Sequence, residues 1–159
     1  MNLDGKRVVI TGASRGIGAE IAKEFAAAGS QVVLSARTES AISNLANEID
    51  GIAIPFDAND PEDVRTYIGN VEDSVGPIDV LINNAGIEKS TLIEDITEKE
   101  IEETLRINLI TPQVLTADVL PRMLSRGSGH LVYTSSIAAT TGNPAMSAYC
   151  SSKAGLTRY

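Results

Sequence analysis

The stretch Val8-Val9-Ile10-Thr11-Gly12-Ala13-Ser14-Arg15-Gly16-Ile17-Gly18 constrains the fold more than any other in the chain. A short β-branched apolar run feeds a glycine-rich turn, and a helical pattern starts at once. Strand, tight loop and helix N-terminus in that order form a site for phosphate. The first N–H groups of the helix lack intrahelical partners, and the positive end of the helix dipole meets them there. One glycine makes the turn, one lets backbone approach a pyrophosphate, and one lets helix and strand pack closely. The spacing is Gly-x-x-x-Gly-x-Gly behind Thr11, not the common Gly-x-Gly-x-x-Gly. Taken alone, the pattern also fits an ordinary strand-to-helix turn.

Apolar runs and helical stretches alternate along the rest of the chain, which predicts an α/β fold with a parallel sheet. Strands are expected at Arg7–Thr11, Gln31–Ser35, Ile52–Pro55, Asp79–Ile82 and His130–Ser135. Helices are expected at Gly16–Ala28, at Ser40–Ile49 with Ser40 as N-cap, and from Pro61 behind an Asp60 cap to just before Gly76-Pro77. A long helix opens on Thr97-Glu98-Lys99-Glu100, a capping-box pattern, and runs to Leu124. A last helix starts at Pro144. The 159 residues fit a single domain, 1–159.

Composition narrows the function. A net charge of -8 and a pI near 4.6 leave no basic patch for a nucleic-acid polyanion. No apolar run is long enough to span a membrane, and the first residues carry no signal-peptide core, so a cytoplasmic protein is expected. Cys150 is the only cysteine and is read as a reduced bystander; His130, the only histidine, is expected to be exposed. Asp57, Asp60, Glu62 and Asp63 look like a metal cluster but suit the charged N-terminus of a helix better, so no metal is expected.

Four further stretches carry chemistry: Asn83-Asn84-Ala85-Gly86, Asn108, Ser135-Ser136, and Tyr149-Cys150-Ser151-Ser152-Lys153. Tyr149 and Lys153 are four apart and share a helix face. A tyrosine titrates near ~10 in water, and an ammonium beside a phenol favours the phenolate, which suits proton transfer to an alcohol or carbonyl oxygen. Ser136 ends a strand, where open α/β sheets bind ligands; Ser135 is expected to satisfy local backbone. In a regular helix the Asn108 carbonyl would accept from residue 112, but Pro112 has no N–H and its ring crowds that carbonyl. An irregular hydrogen-bond ladder is therefore expected at Asn108. At the end of the second strand, Ser35-Ala36-Arg37 lacks the acid that accepts from an NAD ribose. Arg37 and Arg15 can instead clasp a 2′-phosphate, which favours NADP(H) over NAD(H). Glu39 would oppose this if its loop bent back.

In order and spacing, Thr11-Gly12-x-x-x-Gly16-x-Gly18, Asn83-Asn84-Ala85-Gly86, Asn108, Ser136 and Tyr149-x-x-x-Lys153 resemble the short-chain dehydrogenase/reductase family, in particular its oxoacyl-carrier-protein-reductase-like, three-layer members. The resemblance implies a Rossmann-like doubly wound parallel sheet in an α/β/α sandwich with strand order 3-2-1-4-5, the last family strands missing. It implies a catalytic set of Asn108, Ser136, Tyr149 and Lys153, with Ser136 matched by the thirteen residues separating it from Tyr149. The Asn108 carbonyl would hold a water in a proton relay to the lysine. Cofactor contacts are expected from Gly12, Ser14, Arg15, Gly16, Ile17, Gly18, Arg37, Asp57, Ala58, Asn84, Ala85 and Gly86, together with Tyr149 and Lys153. Asp57 matches the family's adenine-contacting acid. The substrate would be a small-molecule carbonyl or alcohol, and the full-length form a homodimer or homotetramer.

Family members continue through further strands and a substrate-covering segment, so the chain reads as incomplete at its C-terminus. Alone, it is expected to bind cofactor weakly and turn over poorly. The alternative function is a catalytically impaired nucleotide-binding fragment or scaffold. A sugar-nucleotide epimerase relative also uses Tyr-x-x-x-Lys, but the glycine spacing and Asn83-Asn84-Ala85-Gly86 argue against it.

Overall fold

A computed structural model describes residues 2–159. Five parallel strands form one sheet in the order β3-β2-β1-β4-β5: β1 (Arg7–Thr11), β2 (Gln31–Ser35), β3 (Ile52–Ala53), β4 (Val80–Asn83) and β5 (His130–Tyr133). This is the Rossmann-like arrangement with the expected order 3-2-1-4-5. The strands β1, β2 and β4 read as unbroken apolar runs because both their faces are covered. Side chains alternate between the faces. Val8, Ile10, Val32, Leu34, Val80 and Ile82 pack on one side with Ala22 of α1 (Gly16–Ala27) and Ile42, Leu45 and Ala46 of α2 (Glu39–Ile49). Val9, Val33 and Leu81 pack on the other with Val64, Tyr67, Ile68 and Val71 of α3 (Pro61–Val75). Each fully buried aliphatic or aromatic side chain contributes about 1.5–3 kcal/mol.

The chain leaves β1 in one direction to build β2 and β3, then returns to the other side of β1 for β4 and β5. Two loops therefore diverge at the C-terminal ends of β1 and β4, opening a crevice at the switch point. Long-range bonds pin this junction at both ends. Asp79, just ahead of β4, accepts from the Lys6 ammonium at 2.9 Å and from the Arg7 backbone N–H at 3.0 Å. At the far end the Thr11 hydroxyl accepts from the backbone N–H groups of Asn84 and Ala85, both at 3.1 Å.

Several boundaries differ from those expected. Thr38, not Ser40, occupies the N-cap position of α2, and its side chain makes no capping bond. β3 stops at Ala53, although Ile54 and Phe56 still donate to the carbonyls of Leu34 and Ala36. The last helix, α6 (Ser147–Arg158), begins after Pro144 because Ala145 takes a left-handed φ of 60°, which no helix continues. The long helix is not continuous. α4 (Glu98–Leu105) passes through a π-helical turn at Arg106–Ile110 before α5 (Thr111–Arg126). The caps at Asp60 and at Thr97–Glu100 form as expected. Among the described residues β5 pairs only with β4, and Val132 on it is exposed.

Candidate active site

A groove of about 680 Å³ runs along the crevice at the C-terminal ends of the strands. One wall is the turn between β1 and α1, supplying Gly12, Ser14, Arg15, Gly16, Ile17 and Gly18. A second is the end of β2, with Arg37; a third is the segment after β3, with Asp57 and Ala58. Asn84, Ala85 and Gly86, following β4, close the fourth side. The groove thus gathers twelve of the fourteen expected cofactor residues; Tyr149 and Lys153 are not among those lining it.

The turn is built to bring backbone close to backbone. Gly12 has φ +69°, and a Cβ there would stand 2.7 Å from the Ala85 Cα. A Cβ on Gly18 would strike the Gly12 carbonyl oxygen. Both positions therefore exclude side chains. Ala13 donates to the Ser35 carbonyl at 3.1 Å, fixing the turn to the end of β2. Arg15 and Arg37 are exposed, and neither forms an ion pair or side-chain hydrogen bond among the described residues. They face a groove in a chain of net charge -8, which leaves two free guanidinium forks for a phosphate-bearing ligand. Glu39, the first residue of α2, does not line the groove. Asp57 accepts from the Asn59 N–H at 2.9 Å, and its own N–H is held by Asp63 at 2.6 Å. Asp60 caps α3 by accepting from Glu62, and no metal-binding group of His, Cys, Asp and Glu occurs among the described residues.

At the inner end of the groove lies a second cluster. Lys153 is buried in α6 and donates to the Thr134 carbonyl at 2.7 Å. Desolvation lowers its pKa from 10.5. Its Nζ stands 5.9 Å from the centre of the Tyr149 ring. Gly86 joins the cluster to the groove, because a Cβ there would lie 3.6 Å from Lys153 Nζ and 3.4 Å from Asn108 Oδ1. Tyr149 is half-buried, and its hydroxyl makes no hydrogen bond to Ser136 or Lys153 among the described residues.

Asn108 is fully buried within the π-helical turn. Thr111 N–H donates to the Arg106 carbonyl, five residues back rather than four. The ladder is irregular where Pro112 removes a donor, as expected. The Asn108 side chain does more than its sequence position suggested. Its Oδ1 accepts from the Ile87 N–H at 2.8 Å, and its Nδ2 donates to the Ile87 carbonyl at 2.8 Å and to Ser152 Oγ at 3.1 Å. One amide therefore ties the segment after β4 to α6.

Of the two serines, Ser135 does not satisfy local backbone as expected. Ser135 pairs with the Thr157 hydroxyl at 2.6 Å. Ser136 satisfies local backbone, accepting from the Ala138 N–H at 3.2 Å as the cap of a single 3-10 turn at Ile137–Ala139. The Ser136 hydroxyl accepts there and keeps its proton to donate. His130 is exposed, as expected, and Cys150 is a free thiol.

Sequence reasoning missed Thr134, Phe56, Ile87 and Ile107. Thr134 donates its hydroxyl to Asn84 Oδ1 at 3.1 Å, while its carbonyl receives Lys153. Asn84 in turn donates to the carbonyls of Thr11 and Gly12 at 3.1 and 3.2 Å. A continuous chain of bonds thereby runs from the glycine turn to the buried lysine. Phe56, Ile87 and Ile107 line the groove as apolar walls, and nothing distinguishes such residues from core residues in a sequence.

The strand order and the glycine turn define a Rossmann-like fold, with Tyr149 and Lys153 on one helix face beside its switch point. A family model described as short chain dehydrogenase matches residues 6–159, and the chain belongs to that family. It is 40% identical over 159 residues to the ketoacyl reductase HetN of Nostoc sp., covering 97% of this chain and 55% of that protein. It is 30% identical over 158 residues to the 3-oxoacyl-acyl-carrier-protein reductase FabG of Salmonella typhimurium, covering 98% of this chain and 65% of that protein. The crystal structure of a metagenomic short-chain oxidoreductase in complex with NADP superposes with a TM-score of 0.93 at 32% identity, covering 99% of this chain and 74% of that one. The chain thus spans about half to two thirds of the length of these curated relatives. Among the described residues, no helix is long and apolar enough to cross a membrane.

Proposed function

We propose that this chain carries the cofactor site and acid–base residues of an NADP(H)-dependent oxidoreductase interconverting a carbonyl and an alcohol. One observation carries this: a groove with two unpaired arginines at one end meets, through Gly86, a buried lysine and Tyr149 at the other. The fit to a dinucleotide rests on the glycine turn, where Gly12 and Gly18 let backbone pack against backbone beside the groove, and on the groove's length along four loops. When bound, the nicotinamide supplies or accepts the hydride.

The chain's own residues do the rest. Arg15 and Arg37 bind the 2′-phosphate as forked donors. The Gly12–Gly18 turn and the N-terminus of α1 receive the pyrophosphate. Tyr149 gives its phenolic proton to the carbonyl oxygen in reduction and takes it back in oxidation. Ser136, with its proton free, orients that oxygen. Lys153, held by the Thr134 carbonyl, presents its ammonium to the phenol and to the cofactor ribose. Asn108 fixes α6 relative to the groove through Ile87 and Ser152, and its carbonyl lies in an irregular turn suited to holding a relay water.

Tyr149→Phe tests the chemistry. Where the protein reduces a carbonyl with NADPH, the rate should fall by about 10²–10⁴-fold, with cofactor affinity retained. Undiminished turnover rejects the role. Arg37→Ala tests the cofactor assignment: the preference for NADPH over NADH should drop about tenfold or more, as expected for losing a charged phosphate contact of about 1.5–3 kcal/mol. An unchanged preference rejects it.

A further inference from the structure

Three walls of the groove converge behind Ser35. Its carbonyl accepts from Ala13, which belongs to the glycine turn. The next residue, Ala36, accepts from the Phe56 N–H at 3.2 Å and begins the corner that carries Arg37. The Ser35 hydroxyl, fully buried, hydrogen-bonds the Tyr67 hydroxyl of α3, also fully buried. The Tyr67 ring packs on the Phe56 ring, centroids 4.2 Å apart, and Phe56 lines the groove. Neither hydroxyl has another hydrogen-bond partner among the described residues. Burial, the largest effect, holds the Tyr67 phenol well above its ordinary 10.0, so the pair keeps its protons across the working range.

A helix core position so close to a sheet would ordinarily hold an aliphatic side chain, and a serine–tyrosine pair buries two polar groups for one bond. We infer that Ser35 and Tyr67 form a clamp that sets the separation of the β2 corner from the Phe56 wall, making Tyr67 a positioning residue for the adenosine half of the cofactor. The inference rests on the proposed NADP(H) site. Without the clamp, α3 and its Phe56 contact are free to shift relative to Arg37, and the adenosine end loses its fixed width.

The test uses 2′,5′-ADP, which occupies only the adenosine end, with calorimetric titration and thermal unfolding in parallel. Tyr67→Phe keeps the ring but removes the hydroxyl, and should weaken 2′,5′-ADP binding about five- to tenfold, the equivalent of one buried hydrogen bond. It should also lower the unfolding midpoint, because Ser35 is left without a partner. The double variant Ser35→Ala/Tyr67→Phe leaves no orphan hydroxyl. The clamp predicts recovery of the midpoint without recovery of affinity. Affinity returning together with stability, or unchanged affinity in Tyr67→Phe, overturns the clamp. Ser35→Ala alone provides the same comparison should Tyr67→Phe fail to fold. If the wild-type chain binds neither 2′,5′-ADP nor AMP, the cofactor proposal falls along with the clamp; if it binds and the variants match it, only the clamp falls.

Discussion

Lys153 shows how much a single side chain reveals about its surroundings. Desolvation depresses its pKa below 10.5 in the folded chain. Between that lowered value and 10.5 the unfolded chain binds more protons, so stability rises with pH across the interval. At lower pH the cost of burying the ammonium is present in full. Compared with Lys153→Met, the wild type should therefore gain stability as pH rises towards 10.5, as urea midpoints at matched pH would show. A difference that stays flat would contradict a buried, charged lysine. Gly12, Gly18, Arg15 and Arg37 each have a chemical reason to stand out in the sequence, whereas Tyr149 and Lys153 stand out only through the family resemblance. Thr134 was not legible. Its contact with Lys153 goes through a backbone carbonyl, which every residue has. Asn108 was half legible, since Pro112 announces the irregular turn but says nothing of where the amide points.

At the level of elements, the two helix starts with a side-chain cap were the most readable features, because capping is local chemistry. Asp60 accepts from the Glu62 N–H at 2.9 Å, and Thr97 and Glu100 complete a reciprocal capping box. Replacing Asp60 or Thr97 by Ala should each cost about 1 kcal/mol in denaturant unfolding. Asp60→Ala should cost more than a substitution at Ser40, which was expected to cap α2 and does not. A loss at Ser40 equal to that at Asp60 would refute the assignment. Element ends were harder to read. β3 is only two residues long because its neighbours pair with β2 through isolated bonds rather than a full ladder, and no propensity encodes that. α6 starts late because Ala145 turns left-handed, with its carbonyl accepting from Thr91 across the cleft at 2.8 Å. That is a tertiary event, outside the reach of a local pattern.

Across the whole molecule, the parallel sheet depends on joining two halves that are distant in sequence. Asp79 is one of the pins. Burial pushes its carboxyl pKa up, but the Arg7 N–H and the Lys6 ammonium outweigh this and hold it below 3.8. A carboxylate depressed in the folded state contributes stability that is present above its unfolded value and lost as pH falls through the folded one. Asp79→Asn should therefore reduce stability at neutral pH, and its deficit against the wild type should shrink on acidification below about pH 4. A deficit that persists unchanged in acid would place its origin elsewhere. The fold class was legible from the alternation of runs, because both-face burial makes each central strand apolar throughout; the strand order was legible only through the family resemblance. The second pin, Thr11 with Asn84 and Ala85, joins residues separated by 73 and 74 positions. A chain emerging from the ribosome thus completes β1, α1 and β2 long before it can close the wall that faces them. Contacts of such long sequence separation form late and slow the search. A ligand held between both halves can then act only on the finished junction: it should lengthen the native lifetime while leaving the rate of first assembly untouched.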